Sequence, residues 1–510
     1  MTEPTGTLLL HVDDNVAILT DPAAAGSRPL GFGEPLKTPV ARGHKIARVA
    51  IPEGQHIYKF GQIIGFASQP IAAGEHVHTH NCAFGEHDRD YRIGADLEKA
   101  KAAIPAVEPA HFMGYRRANG QAGTRNFIAI CATVNCSATV IRRAADEVNR
   151  SGILDRYPNV DGVAAFAHGT GCAISVTGPG FDNLQRVLWG YATHPNVAAA
   201  VFVGLGCETM QIARMRALYG DHDDSRFFSL TIQETGGTAQ TIRRIVDHIH
   251  EILPIVNETK REPIPASELK LALQCGGSDG FSGITANPAL GVASDLLVGL
   301  GGTVVLSETP EIYGAEQLLL RRAASKEVAD KLIERITWWE NYCRINDGSM
   351  DNNPSPGNKL GGLTTILEKS LGAAAKAGST PMTDVLLYGE KISAPGFVFM
   401  DTPGYDPVSA TGQIAGGAQL VCFTTGRGSA FGSKPAPTIK LSTSSRLYNE
   451  MRDDMDINCG DIITEGVSLE AKGREILDHV LATASGRKTK SEELGLGDNE
   501  FVPWQVGAIM

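Results

Sequence analysis

No stretch of this chain approaches the ~18–20 consecutive apolar residues that cross a bilayer, so a membrane role is not expected. Met1 to Leu10 is acidic and polar before a brief apolar run, which is not a signal-peptide pattern. Positive charge is in short supply. Lys and Arg number 46 against 57 Asp and Glu, for a formal net charge of −11. Without a basic field to draw in phosphates, nucleic acid is not an expected partner, although local Arg and Lys can still hold a small anion. There is no Walker A loop, no HExxH and no paired CxxC. Gly204-Leu205-Gly206-Cys207-Glu208-Thr209 stops short of a dinucleotide fingerprint. The nine cysteines are few for 510 residues and odd in number, which points to reduced thiols and a cytoplasmic setting rather than a disulfide framework.

What is present is ordinary globular composition, 42% apolar and 20% charged, in a chain too long for one core; two to four domains are expected. The 57 glycines have no period and cluster in short turns. Residues 1–85 alternate short strand-like runs (Thr7–His11, Asn15–Leu19, His44–Ala50, Ile57–Phe60, Ile63–Ala67) with Gly and Pro, which predicts a small all-β module. Residues 86–113, rich in charge, Ala and Pro, lack an apolar face and are expected to be a linker. From Gly114 apolar runs alternate with amphipathic ones: Phe127–Val134, a helix over Ala138–Ile153, Gly162–Ala167, Phe181–Gly190, Val197–Gly204, Phe227–Ile232 and a helix near Thr238–Val256. This predicts an α/β domain over 114–262 with a mostly parallel sheet. A second α/β domain, 263–510, is expected, with strands at Leu271–Gln274, Thr303–Ser307, Asp384–Tyr388, Gly396–Met400, Leu420–Thr424 and Thr438–Leu441. A long helical run is expected over Ala315–Arg344.

Three groups of residues carry chemistry. His76, His78 and His80 alternate, so in a strand they share one face and can converge on a metal, with His11 in the same module; the plain alternative is an exposed polar face. Cys136, Cys172, Cys207 and Cys275 each follow an apolar run, mostly beside Gly. Ligands of open α/β sheets bind at the carboxyl ends of strands, and thiolates select soft or borderline metals. Taken singly, each is equally a small buried hydrophobe. Gly426-Arg427-Gly428 can hold an anion through Arg and backbone amides. Asn353-Pro354-Ser355-Pro356-Gly357-Asn358-Lys359 is a turn-rich loop with a charged tip.

At these motifs the chain resembles the altronate/galactarate dehydratase family. The resemblance runs through His11-Val12-Asp13-Asp14-Asn15, Gly43-His44-Lys45, Val77-His78-Thr79-His80-Asn81, Gly123-Thr124-Arg125-Asn126, Gly204-Leu205-Gly206-Cys207-Glu208, Asn353 to Gly362 and Thr424 to Gly428. Its most specific stretch is Cys275-Gly276-Gly277-Ser278-Asp279-Gly280-Phe281-Ser282-Gly283-Ile284-Thr285-Ala286-Asn287-Pro288. His78-Thr79-His80-Asn81 and Pro310 to Glu316 are closer to the altronate branch. The resemblance implies a β-clip (SAF-like) N-terminal module, a middle domain engaged in dimerisation and a Rossmann-like C-terminal domain. It also implies Fe(II) or Mn(II), a homodimer, and loss of water from a sugar acid to give a 2-keto-3-deoxy acid. On the matched motifs, His168, Lys45, Cys172, Asp279 and Lys359 stand as catalytic candidates. Arg125, Ser278, Asn287, Asn358 and Arg427 stand as substrate-binding candidates. His11, His78 and His80 stand as metal ligands, with Cys136, Cys172 and Cys207 as the alternative set. A mononuclear ion is favoured over an iron–sulfur cluster, because the resemblance implies an added divalent metal. The chain departs from the family at Thr170, where members often carry Tyr. Two other readings stay open: a carbon–sulfur lyase acting on sulfolactate-like acids, and a non-catalytic metal- or sugar-acid-binding protein.

Overall fold

A computed structural model describes residues 6–85, 89, 91–219 and 226–507. The N-terminal part folds into seven short strands: β1 (Thr7–Leu8), β2 (Val16–Leu19), β3 (Lys45–Ala47), β4 (His56–Lys59), β5 (Gln62–Ala67), β6 (His76–Val77) and β7 (Cys82–Ala83). They make two antiparallel sheets, ordered β1-β2-β3-β6 and β4-β5-β7. Val16, Ile51, Ile57, Ile64, Ile71 and Val77 fill the space between them and pack against Ala315, Leu371 and Ala374 from far along the chain. The module is therefore docked, not tethered.

Strand β6 ends sooner than the alternation of histidines predicts. The Asn81 side chain accepts from the His78 amide (2.9 Å) and donates to the His76 carbonyl (2.9 Å), folding 78–81 into a turn. Asn side chains commonly compete with the ladder in this way. His80 is thereby exposed, with its ring centroid still 5.4 Å from that of His76.

The segment expected to be a linker contains a helix, Leu97–Ala102, and the start of β8 (His111–Arg116), which pairs with β9 (Ala122–Gly123). Then come β10 (Phe127–Ala132), β11 (Gly162–Phe166), β12 (Val197–Gly204) and β13 (Phe227–Thr231), an all-parallel sheet ordered β11-β10-β12-β13. The helix Asn135–Arg150 lays Val140, Ile141, Ala144, Ala145 and Val148 on this sheet, a stripe with helical period. It stops short of the expected Ile153 because Gly152 takes a left-handed turn (φ 75°). Strand β14 (Arg261–Pro265) returns to pair with β8, so the two segments that flank the middle domain are stitched to each other.

The C-terminal part carries β15 (Lys270–Cys275), β16 (Thr303–Leu306), β17 (Met382–Leu386), β18 (Gly396–Met400), β19 (Leu420–Thr425), β20 (Thr438–Ser442) and β21 (Ile457–Asn458). All seven are parallel, in the order β17-β18-β16-β15-β19-β20-β21. Their near-continuous apolar runs fit a sheet covered by helices on both faces. The expected helix over Ala315–Arg344 is two helices, Glu316–Leu320 and Lys326–Ile345. Ser325 caps the second through its hydroxyl, and Ala323 bridges to Met382 in between. Strand β15 lies at the point where successive strands are added first on one side and then on the other. A crevice outside the carboxyl ends of β15 and its neighbours is the expected ligand position. No described helix is long and apolar enough to cross a membrane.

Candidate functional site

The crevice exists, with a volume of about 450 Å³, and is lined by Cys275, Gly276, Gly277, Glu311, Asn353 and Asn358 with Lys369 and Asp406. Each wall has a local cause. Cys275 is the last residue of β15. Gly277, at φ 62°, turns the chain so that its carbonyl accepts from the Gly426 and Arg427 amides (3.1 and 2.8 Å), tying the loops after β15 and β19 together. Glu308 and Glu311 follow β16, the former at φ 71°. Lys369 and Lys376 come from the helix Ile366–Ala375 and its C-cap, and Asp406 opens the helix Asp406–Ala415 after β18.

The charges in this crevice are unequal in kind. Lys369 Nζ donates to Glu311 Oε1 (2.7 Å) and Asn353 Oδ1 (2.6 Å). Burial alone would push Glu311 up, but the Lys369 and Lys376 ammoniums outweigh it and hold Glu311 ionised. Glu308, fully buried with neither oxygen in a hydrogen bond, is pushed well above the usual carboxylate range by burial and by Glu311. Burial likewise raises Cys275 to about 12, and raises Asp406, again with Glu311 beside it, to about 7. Lys369 at the crevice wall and Lys376 buried behind Cys275 thus accompany one firm carboxylate and one carboxyl that titrates near neutrality, which suits an anionic substrate.

Cys275, Glu308 and Glu311 come close enough to share an ion, yet Lys376 Nζ already lies 2.8 Å from Cys275 Sγ and 3.9 Å from Glu308 Oε2. An ammonium holds the place a metal would need. The histidines fit a metal better. His44, His76 and His78 bring ring nitrogens within 4.8 Å of one another. His44 Nδ1 and His76 Nε2 face each other at 3.0 Å, and the buried His78 Nδ1 has no partner. Burial, followed by neighbouring cationic groups, holds His76 at about 3 and His78 at about 4 and lowers His44, so all three are neutral, as ligands must be. Imidazole sets of this kind suit first-row divalent ions.

The loop of residues 353–362 joins the two groups. Asn353 and Asn358 line the crevice, whereas the Leu360 carbonyl meets His44 Nε2 at 3.3 Å and the Gly362 carbonyl accepts from Lys45 Nζ at 2.6 Å. A Cβ on Gly362 would come within 2.6 Å of the Gly43 carbonyl, so the β module sits directly on this loop. Beneath it, Glu368 holds Lys45 and Lys59 (2.8 Å each) and accepts from Thr364. Those two ammoniums outweigh burial and keep Glu368 ionised.

Of the residues singled out in the sequence, His78 lies in the histidine group, where His44 and His76 join it. His11 is elsewhere, its Nδ1 accepting from the Asp13 amide at 3.2 Å, and His80 is exposed. His168 has both ring nitrogens engaged, with the Ala132 carbonyl (2.9 Å) and the Thr170 amide (3.2 Å), and burial lowers it to about 4. Thr170, buried beside it, accepts from the Asn135 amide. Lys45 is fully buried on Glu368. Asp279 is bound by Ser282, Thr443 and the Phe281 amide. Arg125 is clamped by Glu492 and three backbone carbonyls. Ser278 and Asn287 are buried, Ser278 accepting from Asn358 and Asn287 bonded to Thr424 and Gly372. Asn358 lines the crevice, the next residue Lys359 is half-buried, and Arg427 is exposed above Gly277. Cys136, Cys172 and Cys207 are exposed on the middle domain.

Glu308, Lys369, Lys376 and Asp406 were missed in the sequence. The available signals were two Glu directly after an apolar strand, lysines inside the otherwise apolar helix Ile366–Ala375, and an Asp after the Gly- and Pro-containing run Thr402-Pro403-Gly404-Tyr405.

Comparison with known proteins covers nearly the whole chain. Residues 5–84 match the family described as altronate/galactarate dehydratase SAF domain. Residues 114–257 match the second domain of D-galactarate dehydratase/altronate hydrolase, and residues 266–509 the C-terminal domain of D-galactarate/altronate dehydratase. The chain is 38% identical to altronate dehydratase of Escherichia coli (strain K12) and 38% to that of Bacillus subtilis (strain 168), in each case over 95% of this chain and 96% of the relative. It is 37% identical to galactarate dehydratase (L-threo-forming) of Escherichia coli (strain K12), over 96% of this chain and 94% of the relative. This chain belongs to the altronate/galactarate dehydratase family.

Proposed function

We propose that the protein is a hydro-lyase that dehydrates an altronate-like aldonate or galactarate-like aldarate to a 2-keto-3-deoxy acid. The observation that carries this is the crevice at the carboxyl ends of β15 and its neighbours, where Lys369 and Lys376 flank carboxyls of opposed protonation.

The reaction must remove a weakly acidic proton α to a carboxylate and expel a β-hydroxide. Arg427, exposed at the mouth, and Lys359, the residue after Asn358, dock the carboxylate. Asp406, titrating near neutrality, is matched to take the α-proton, since a base works best with a pKa near the operating pH. The Lys369 ammonium, fixed by Glu311 and Asn353, faces the charge that develops on the enediolate and protonates the departing hydroxyl. With Cys275 and Glu308 neutral, Glu311 is the carboxylate that faces the charges of both Lys369 and Lys376. The enol left after water loss ketonises.

His44, His76 and His78 would hold a divalent iron or manganese ion, which supplies Lewis-acid polarisation of substrate oxygens when bound. The C-terminal domain is Rossmann-like in this reading, its doubly wound sheet placing the crevice. The protein works as a cytoplasmic homodimer, for which nine free thiols are suited. A panel of altronate, galactarate and sulfolactate under anaerobic Fe(II) tests the proposal. Release of a 2-keto-3-deoxy acid, abolished by chelation and restored by Fe(II) or Mn(II), is expected. Sulfite release from sulfolactate, with no turnover of either sugar acid, would replace dehydration with carbon–sulfur cleavage.

A further inference from the structure

We propose that the middle domain carries a separate metal site, a four-iron, four-sulfide cluster held by Cys136, Cys172 and Cys207. The three cysteines follow β10, β11 and β12, which are adjacent and parallel in one sheet, so all three loops leave the same edge. The loops are also bonded to one another. The Asn135 amide donates to the Thr170 carbonyl (2.9 Å), and the Thr209 and Met210 amides donate to the Gly171 carbonyl (3.2 and 3.3 Å). A Cβ on Gly171 would lie 2.2 Å from the Thr133 carbonyl, so the residue before Cys172 is pressed against the loop that bears Cys136. Glu208 binds the Thr133 hydroxyl and the Gly206 amide (2.7 Å each), fixing the Cys207 loop to the same place. His168, with both nitrogens on backbone, props the Cys172 loop from below.

Exposure is the second observation. All nine cysteines are free, and among them Cys136, Cys172 and Cys207 are the exposed ones; five are buried and Cys343 is intermediate. A free Cys normally packs as a small hydrophobe and ranks among the most buried residue types. Three exposed thiols gathered on one sheet edge run against that tendency. The backbone there is held in left-handed conformations, Ala173 at φ 54° and Gly206 at φ 129°. Cys136 also sits in the first turn of a 16-residue helix with no side-chain cap, so the backbone amides there are left free of a side-chain partner.

Spacing argues against a single ion held by all three. Thiolates on one tetrahedral ion at ~2.3 Å lie about 3.8 Å apart. The three sulfurs do not all come within 4.8 Å of one another among the described residues. A cubane in which each thiolate takes a different iron accommodates a wider spacing. Three thiolates on four irons leave one iron open, and the ligand class it takes is a hydroxyl or carboxylate oxygen. This site does not depend on the crevice or on the histidines.

The test uses the full chain, purified without oxygen and reconstituted with Fe(III), sulfide and dithiothreitol, which supplies the two electrons that take four ferric ions to two ferric and two ferrous. The expected result is about four irons and about four acid-labile sulfides per chain with a broad band near ~400 nm. Cys136→Ser, Cys172→Ser and Cys207→Ser should each lose most of both, whereas Cys343→Ser keeps them. Should a serine variant fail to fold, alkylation of the wild-type protein decides. Reconstitution should shield these three cysteines from iodoacetamide, mapped by mass spectrometry. Colourless, sulfide-free protein, a two-iron stoichiometry, or three cysteines alkylated as fast after reconstitution as before would each overturn the proposal.

Discussion

Asp406 offers the sharpest test of the crevice, because its energetics and its chemistry predict opposite consequences of one substitution. Its pKa of about 7 stands some three units above the ordinary value for Asp. At about 1.4 kcal/mol per unit, and discounted for its partial exposure, the folded protein penalises the ionised form by roughly 2–4 kcal/mol. Between about pH 4 and 7 the folded state keeps a proton that the unfolded chain has lost, so this group lowers stability as pH rises through that window. Asp406→Asn removes the charge. At pH 8 it should stabilise the C-terminal domain by about 2–4 kcal/mol, several degrees in Tm at ~2–4 °C per kcal/mol. The gain should shrink toward zero near pH 4. In the same variant kcat should fall about 10²–10⁴-fold, and the limb of the pH–rate profile centred near 7 should vanish. Thermal unfolding at pH 5 and pH 8, beside pH profiles of kcat/KM on the active sugar acid, reads both. A variant that melts lower at pH 8 refutes the electrostatic argument, and one that keeps its rate and its pH limb refutes the role as base.

The other predictions concern the groups around it. His44→Ala, His76→Ala and His78→Ala should each weaken Fe(II) binding at least about tenfold, with an unchanged far-UV spectrum; metal titration would expose the error if affinity stayed at the wild-type level. Glu368→Gln leaves Lys45 and Lys59 buried without their carboxylate and should cost about 3–5 kcal/mol, read as a lower Tm. Because the folded pKa of Glu368 is depressed, its stabilisation is present above the ordinary carboxylate pKa of ~4.3 and is lost as pH falls below it. The Tm gap between Glu368→Gln and wild type should therefore narrow in acid. Arg427→Gln should raise KM about tenfold or more with kcat little changed, as removal of a docking contact does; an unchanged KM would take Arg427 out of the site.

Much of this protein was legible in its residues because the relevant signals are local. Apolar runs such as Leu271–Gln274, Leu420–Thr424 and Thr438–Leu441 declare buried parallel strands wherever they occur, since burial on both faces requires no polar alternation. The position of Cys136, Cys172, Cys207 and Cys275 just past such runs follows from the same pattern. The order of the strands, and therefore which strand ends meet, is not local. Lys376 reaches Cys275 across 101 residues, and Lys369 reaches Glu311 across 58. Only the packed sheet and the helix above it make those pairs neighbours. The histidines show the same division. Their alternation predicted that 76, 78 and 80 share a face; one asparagine side chain turns the chain after Val77 and leaves His80 exposed at the rim of the group, its ring centroid 5.4 Å from that of His76. His44 then arrives from β3, which pairs with β6. The perturbed protonation of Glu308 and Asp406 is decided only by the tertiary structure, because desolvation belongs to the space around a group and not to the group's own place in the chain.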